Sequence, residues 1–244
     1  NVYKTWTEYI NRLIGAIVGI SLFLLFLSSV FIKPFDNKIF LLSFLSIILV
    51  LFQAWLGSLV VSTNLLSGFI TVHVIVALII ICNVILCYHL TSNVKLVNFK
   101  SDLLVFFIIV SFFLFFVQIV LGTNVRESVD GLFKFFGFNQ RDLIIESLGI
   151  NFIIHRSFSL LILIFQSITY YFILRQSKID LYFKNISRIL LVLIILEILV
   201  GVGMAYFQIP KFLQPIHLFV AFLIFGIQFY VILLSVKFKK LKTI

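Results

Sequence analysis

Charge is scarce in this chain: 11% of its 244 residues are Asp, Glu, Lys or Arg, while 62% are hydrophobic. A soluble domain with a hydrated surface is thereby excluded. Alternating apolar and polar segments of about ten residues are absent, which excludes a membrane β-barrel. Cysteine is limited to Cys82 and Cys87, five positions apart in one apolar run; that spacing suits neither a disulfide nor a metal-ligand pattern, and both read as packing residues. Three prolines are present and none interrupts an apolar span. The chain starts at Asn1 without a methionine and without a basic, apolar, small-residue leader pattern, so its natural start is expected upstream. No phosphate loop, Ser-His-Asp arrangement or dinucleotide fingerprint is found, because Gly201-Val202-Gly203 lacks a preceding strand.

What the chain has in abundance is long apolar runs. At about 20 residues per crossing, seven spans are expected near 10–32, 39–62, 66–91, 102–122, 148–174, 186–207 and 213–236. The fold class is therefore an all-α integral membrane protein. The net charge of +10 is read as loop charge facing the cytoplasm and not as a nucleic-acid surface. Connections after the first, third, fifth and seventh spans carry Lys33, Lys38, Lys95, Lys100, Arg175, Lys178, Lys184, Arg188, Lys237, Lys239, Lys240 and Lys242, twelve in all. The opposite side carries Lys4, Arg12, Arg126, Lys134, Arg141 and Lys211, six in all, together with most of the acidic residues. The C-terminus is therefore expected in the cytoplasm. Seven spans ending inside require a start outside, and an eighth span is expected before residue 1.

The longest connection, Thr123 to Ser147, is expected as an outer-face loop dividing the chain into an N-terminal half at 1–122 and a C-terminal half at 148–244. The halves repeat. A shift of 144 positions places Asn11-Arg12 on His155-Arg156, Gln53 on Glu197, Gly57 on Gly201 and His73 on His217. Gln118 and Gly122 repeat the polar-x-x-x-Gly pattern, and their counterpart would precede residue 1. Two pseudo-repeated four-helix bundles are the expected architecture, seven helices of eight being visible.

His73, His155 and His217 lie in apolar spans, where an ionisable group is costly enough to suggest function. Each sits roughly 8 to 12 Å inside a span that starts on the outer face, at about 1.5 Å per residue. Two imidazoles at one depth on neighbouring helices suit the axial positions of a haem iron, and His155 and His217 are the candidates. Zinc would ask for further nitrogen or sulfur ligands that this half does not offer. The alternative is that each histidine is a hydrogen-bonding link between helices. Arg156, beside His155, and Arg126, at the outer end of the fourth span, are candidates for haem propionates, with snorkelling to headgroups as the alternative. In the first half Asn11 stands where the second half has His155, so His73 has no histidine partner there. Glu8, one turn before Asn11 on the same face, is a candidate base or charge stabiliser; the alternative is a helix-start carboxylate favoured by the macrodipole. His89, with Tyr88, is read as an interfacial residue. Gly57, Gly201 and Gly203 are read mainly as packing positions, and Glu197 as packing or part of a proton path.

The segments TEYINR, QAWLGSLVVSTNL with His73, GTNVRES, NFIIHR and QPIH, in this order over nearly the whole chain, resemble the heme A synthase family. The resemblance implies two four-helix halves and oxidation of a methyl group of haem O to the formyl of haem A for terminal oxidases. It implies a haem b on His155 and His217 in the C-terminal half. It also implies a substrate haem site at Glu8, Asn11, Arg12 and His73, with Glu8 and His73 catalytic. The family pattern has His at position 11, so Asn11 is a departure. Haem O, and the haem O synthase that supplies it, are the implied partners, with lipid around the bundle and a homo-oligomer as a further possibility. A bacterial inner membrane is the implied location, a mitochondrial inner membrane the second. Two other readings compete: a cytochrome b type electron carrier with permanent haems, and a transporter built from tandem repeats.

Overall fold

In a computed structural model of the protein, the described residues are 2–32, 35–63, 68–92, 97, 102–137, 141–177 and 179–236. Of the basic residues that set the expected orientation, Lys33, Lys95, Lys100, Lys178 and those from Lys237 onward lie outside them, as do Asn64 and Leu65 of the QAWLGSLVVSTNL segment. Among the described residues all regular structure is helical: α1 (Val2–Phe31), α2 (Asn37–Ser62), α3 (Phe69–Thr91), α4 (Asp102–Phe136), α5 (Arg141–Ser147), α6 (Gly149–Arg175), α7 (Leu181–Tyr206) and α8 (Leu213–Ser235). All but α5 are long and apolar enough to cross a membrane, with mean hydropathy from 1.8 to 3.0 in their richest windows. The protein is a multi-pass membrane protein.

Local chemistry sets several helix ends. Asp36 caps α2 by accepting from the backbone N–H of Lys38 at 2.8 Å and of Ile39 at 3.3 Å. Asp180 caps α7 by accepting from Tyr182 N–H. Gly137 follows α4 at φ 79°, the left-handed position that a helix-terminating glycine supplies, and its N–H bonds back to Phe133 O. After α7 the same left-handed turn is made without glycine, by Gln208 at φ 58° and Ile209 at φ 56°, and Ile209 N–H returns to Met204 O at 2.8 Å.

The chain forms two compact units, α1–α3 and α4–α8. The expected boundary at residue 122 is thus displaced: α4 packs on α6 and α8 and belongs to the second unit. The expected loop at 123–147 is corrected as well. Residues 123–136 continue α4, and α5 follows. Apolar burial is the reason, since Val129 packs in a cluster with Ile144, Leu148 and Ile209.

The exposed large apolar side chains of the spans are mostly Leu, Ile, Val and Phe, while Ser43, Ser46, Asn83, Ser111, Gln166 and Gln228 are buried. In a bilayer that is the stable arrangement, because apolar side chains lose nothing by facing lipid while polar groups need partners. In the first unit, Ser43 donates to Ser29 at 2.8 Å, and Asn83 donates to Ser46 Oγ and Leu42 O, both at 2.7 Å. His89 is buried while its neighbour Tyr88 is exposed.

The second unit is layered along its axis. An apolar cluster of Leu104, Ile108, Ile173, Ile179, Phe183, Val231 and Leu234 closes one end, and the Val129 cluster closes the other. Between them lies a buried polar layer in which Ser111 donates to Gln166 Oε1 at 2.6 Å and Gln228 donates to Ser111 Oγ at 3.2 Å. Gln166 and Gln228 each follow a histidine, His155 and His217, by eleven residues. Three turns on the same face separate the two layers by roughly 16 Å.

Candidate functional site

In the second unit α6 brings His155 and α8 brings His217 to one level, with ring centroids 6.5 Å apart and ring planes at 80°. Small residues make this approach possible. A Cβ added at Gly122 of α4 would stand 3.1 Å from His155 Cε1, and one at Gly201 of α7 would stand 3.5 Å from His217 Cε1. The first unit repeats the arrangement: a Cβ at Gly57 of α2 would stand 3.3 Å from His73 Cε1. Three imidazoles therefore each lie on a glycine of an adjacent helix. Of the glycines expected as packing positions, Gly57 and Gly201 thus lie against histidines, as Gly122 does, while Gly203 faces Leu213.

The polar residue one turn before each glycine has a matching task. Gln118 Nε2 donates to His155 O at 3.1 Å, and Gln53 Nε2 donates to His73 O at 3.0 Å. Glu197 departs from this pattern by reaching the ring itself, with Oε1 3.0 Å from His217 Nδ1. The Nδ1 atoms of all three histidines are buried without a hydrogen bond among the described residues, and only that of His217 has a carboxylate oxygen beside it. Polar-x-x-x-Gly is thus a grip on the histidine of the neighbouring helix, used three times.

The two arginine candidates separate. Arg126 lies on α4 one turn beyond Gly122, pairs with Asp130 Oδ2 at 3.0 Å, and donates through NH1 to Gln214 of α8, three residues before His217. It spans from the helix that floors one histidine to the helix that bears the other. Arg156 is exposed, with its guanidinium carbon 5.8 Å from the centre of the Phe152 ring. Gln214 was visible in the QPIH segment but had no assigned task, since its contact with Arg126 crosses 88 residues of chain.

In the first unit Glu8 and Arg12 form an i, i+4 ion pair at 2.6 Å on α1, with the Arg12 side chain 69% and the Glu8 side chain 40% exposed. Asn11 is exposed on the same helix, and His73 is half-buried on α3. α1 packs on α2, and α2 on α3. The structure therefore joins Glu8 to Arg12 and His73 to Gln53 and Gly57. Among the described residues no group of three or more His, Cys, Asp or Glu gathers as a metal cluster.

Comparison with known proteins gives the family. The COX15-CtaA family model, described as cytochrome oxidase assembly protein, matches residues 1–229. The chain belongs to this family. All the site residues above, in both units, lie within the matched stretch. A heme A synthase of Ehrlichia canis (strain Jake) is 30% identical over 265 residues, covering 96% of this chain and 72% of that protein. No solved structure matches the chain. As a member of the COX15-CtaA family the chain is a cytochrome oxidase assembly protein.

Proposed function

We propose that the protein is a heme A synthase, oxidising a methyl group of haem O to the formyl of haem A, with a resident haem b held by His155 and His217. The observation that carries the haem reading is the spacing of the two imidazoles. Two metal–nitrogen bonds of about 2 Å, laid end to end between the half-widths of two imidazole rings, give a centroid separation of roughly 6 Å, and 6.5 Å is found. Two imidazoles at one level, each with Cε1 against a glycine of a neighbouring helix, fit a planar group entering between α6 and α8. A haem bound there supplies one-electron redox chemistry.

The rest falls to the chain. Gln118 and Glu197 hold the two histidines from behind. Arg126, bridged to Gln214 above the pair, is the better placed cation for a propionate, and Arg156 serves the rim. In the first unit His73 offers one imidazole to the substrate haem. Asn11 leaves the second side without a histidine, which suits a group that must exchange. Glu8, paired with Arg12, serves as the proton acceptor there. The excess of basic residues after the odd-numbered spans supports a C-terminus in the cytoplasm, and a bacterial inner membrane supports the family's task. The enzyme that supplies haem O is the natural partner.

Co-expression with a haem O synthase in a bacterial host lacking haem A tests the reading. Extracted haem A, identified by chromatography, is expected with the wild-type chain and is lost with Glu8→Gln or His73→Ala. Haem O persisting unchanged beside a fully haem-loaded protein would leave a cytochrome b type carrier instead.

A further inference from the structure

A carboxylate in the middle of a membrane helix is expensive unless something there requires it. Glu197 is buried on α7, 9% exposed, in a helix otherwise apolar over this stretch. Its counterparts in the chain are glutamines. Gln118 and Gln53 direct an amide donor to the backbone oxygen of the facing histidine and so hold main chain. Glu197 brings an acceptor, and its Oε1 stands 3.0 Å from Nδ1 of the His217 ring.

We propose that Glu197 is a positioning residue for His217: its carboxylate accepts the Nδ1–H, presents Nε2 to the haem iron, and lowers the midpoint potential of that haem. The proposal rests on the haem b reading above. Ligating histidines donate their second ring N–H to an outer partner, which fixes tautomer and orientation and makes the imidazole a stronger electron donor. A stronger axial donor favours the oxidised iron. Gly201 bounds the same ring, its Cβ position lying 3.5 Å from Cε1, so floor and carboxylate together set the ring's plane. Neither Nδ1 closes a hydrogen bond in this structure, but His217 Nδ1 has the Glu197 carboxylate at 3.0 Å, whereas His155 has no carboxylate at its ring among the described residues. The two axial ligands are therefore chemically unequal, and the inequality is written in one residue, Glu where the other two copies of the motif have Gln.

The test is a spectroelectrochemical titration of the purified full-length chain, with haem content measured on the same samples. Glu197→Gln is expected to retain haem b and to raise its reduced-to-oxidised ratio at a fixed potential roughly tenfold, about 59 mV for a one-electron couple. Glu197→Leu is expected to move it at least as far and to broaden the low-spin electron paramagnetic resonance signal, because the ring loses its anchor. If the Leu variant fails to fold, the Gln variant decides alone, and if the Gln variant does not accumulate, the Leu variant decides. Haem retained at the wild-type midpoint in both overturns the proposal and leaves the haem b reading standing. A wild-type chain that takes up no haem overturns both.

Discussion

An imidazole lying on a glycine leaves no room for a side chain between them, and Gly122 is the tightest of the three cases, at 3.1 Å from His155 Cε1. Gly122→Leu is expected to drive the His155 ring from its place and to abolish bound haem b, read as loss of the haem absorption band from folded, purified protein. Retention of full haem content would show that the ring position is not set by this floor. Removing the partner of the facing helix has a milder result. Arg126→Leu frees Gln214 of α8 and leaves Asp130 without its ion pair, so haem affinity is expected to fall by about tenfold, in the range typical of residues that support a ligand from behind. The histidines themselves were legible in the sequence, since an ionisable residue in an apolar run stands out. Their glycine floors were legible as a spacing, polar-x-x-x-Gly, but not as contacts, because a glycine carries no side chain whose chemistry names its neighbour.

Among the elements, the C-terminal extension of α4 is the main surprise. TNVRES and the residues after it carry charge and a glycine, which in an apolar-run reading marks a loop. The segment is helical because Val129 is buried against Ile144 and Leu148 of the α5 stretch and Ile209 after α7, a tertiary cause that no local signal announces. Gly131, inside this extension with no atom within 4 Å of an added Cβ, gives a direct check. Gly131→Ala is expected to stabilise the protein by about 0.5–1 kcal/mol and Gly131→Pro to destabilise it by about 3 kcal/mol, measured as opposite shifts of the thermal midpoint in detergent. Near-neutral behaviour of both would mean a loop. The turn after α7 invites a second check. Gln208 adopts the left-handed conformation that glycine takes without steric cost, so Gln208→Gly is expected to raise the thermal midpoint slightly. Ile209→Ala is expected to lower stability by about 2–5 kcal/mol through loss of its buried side chain.

At the scale of the whole molecule, fold class and span count follow from composition and apolar length, and the element bounds differ from the expected ones by a few residues, apart from α1 and α4. The internal repeat was legible because Asn11, Gln53, Gly57 and His73 keep one fixed offset from their counterparts. Where the chain divides was not legible, because α4 is joined to the second unit by packing on α6 and α8 and not by any composition change. The two units share one device, a histidine on a glycine gripped by the polar residue one turn away, and differ at position 11 and at Glu197. Under the proposed function that difference means a permanent haem in the second unit and an exchanging one in the first. The most direct test is haem b content of the purified wild-type chain, His155→Ala, His217→Ala and His73→Ala, from oxidised and dithionite-reduced spectra with the extracted haem identified. The account predicts haem b in the wild type and in His73→Ala, and its loss in both His155→Ala and His217→Ala. Haem b that survives both second-unit substitutions, or that disappears with His73→Ala alone, would contradict it.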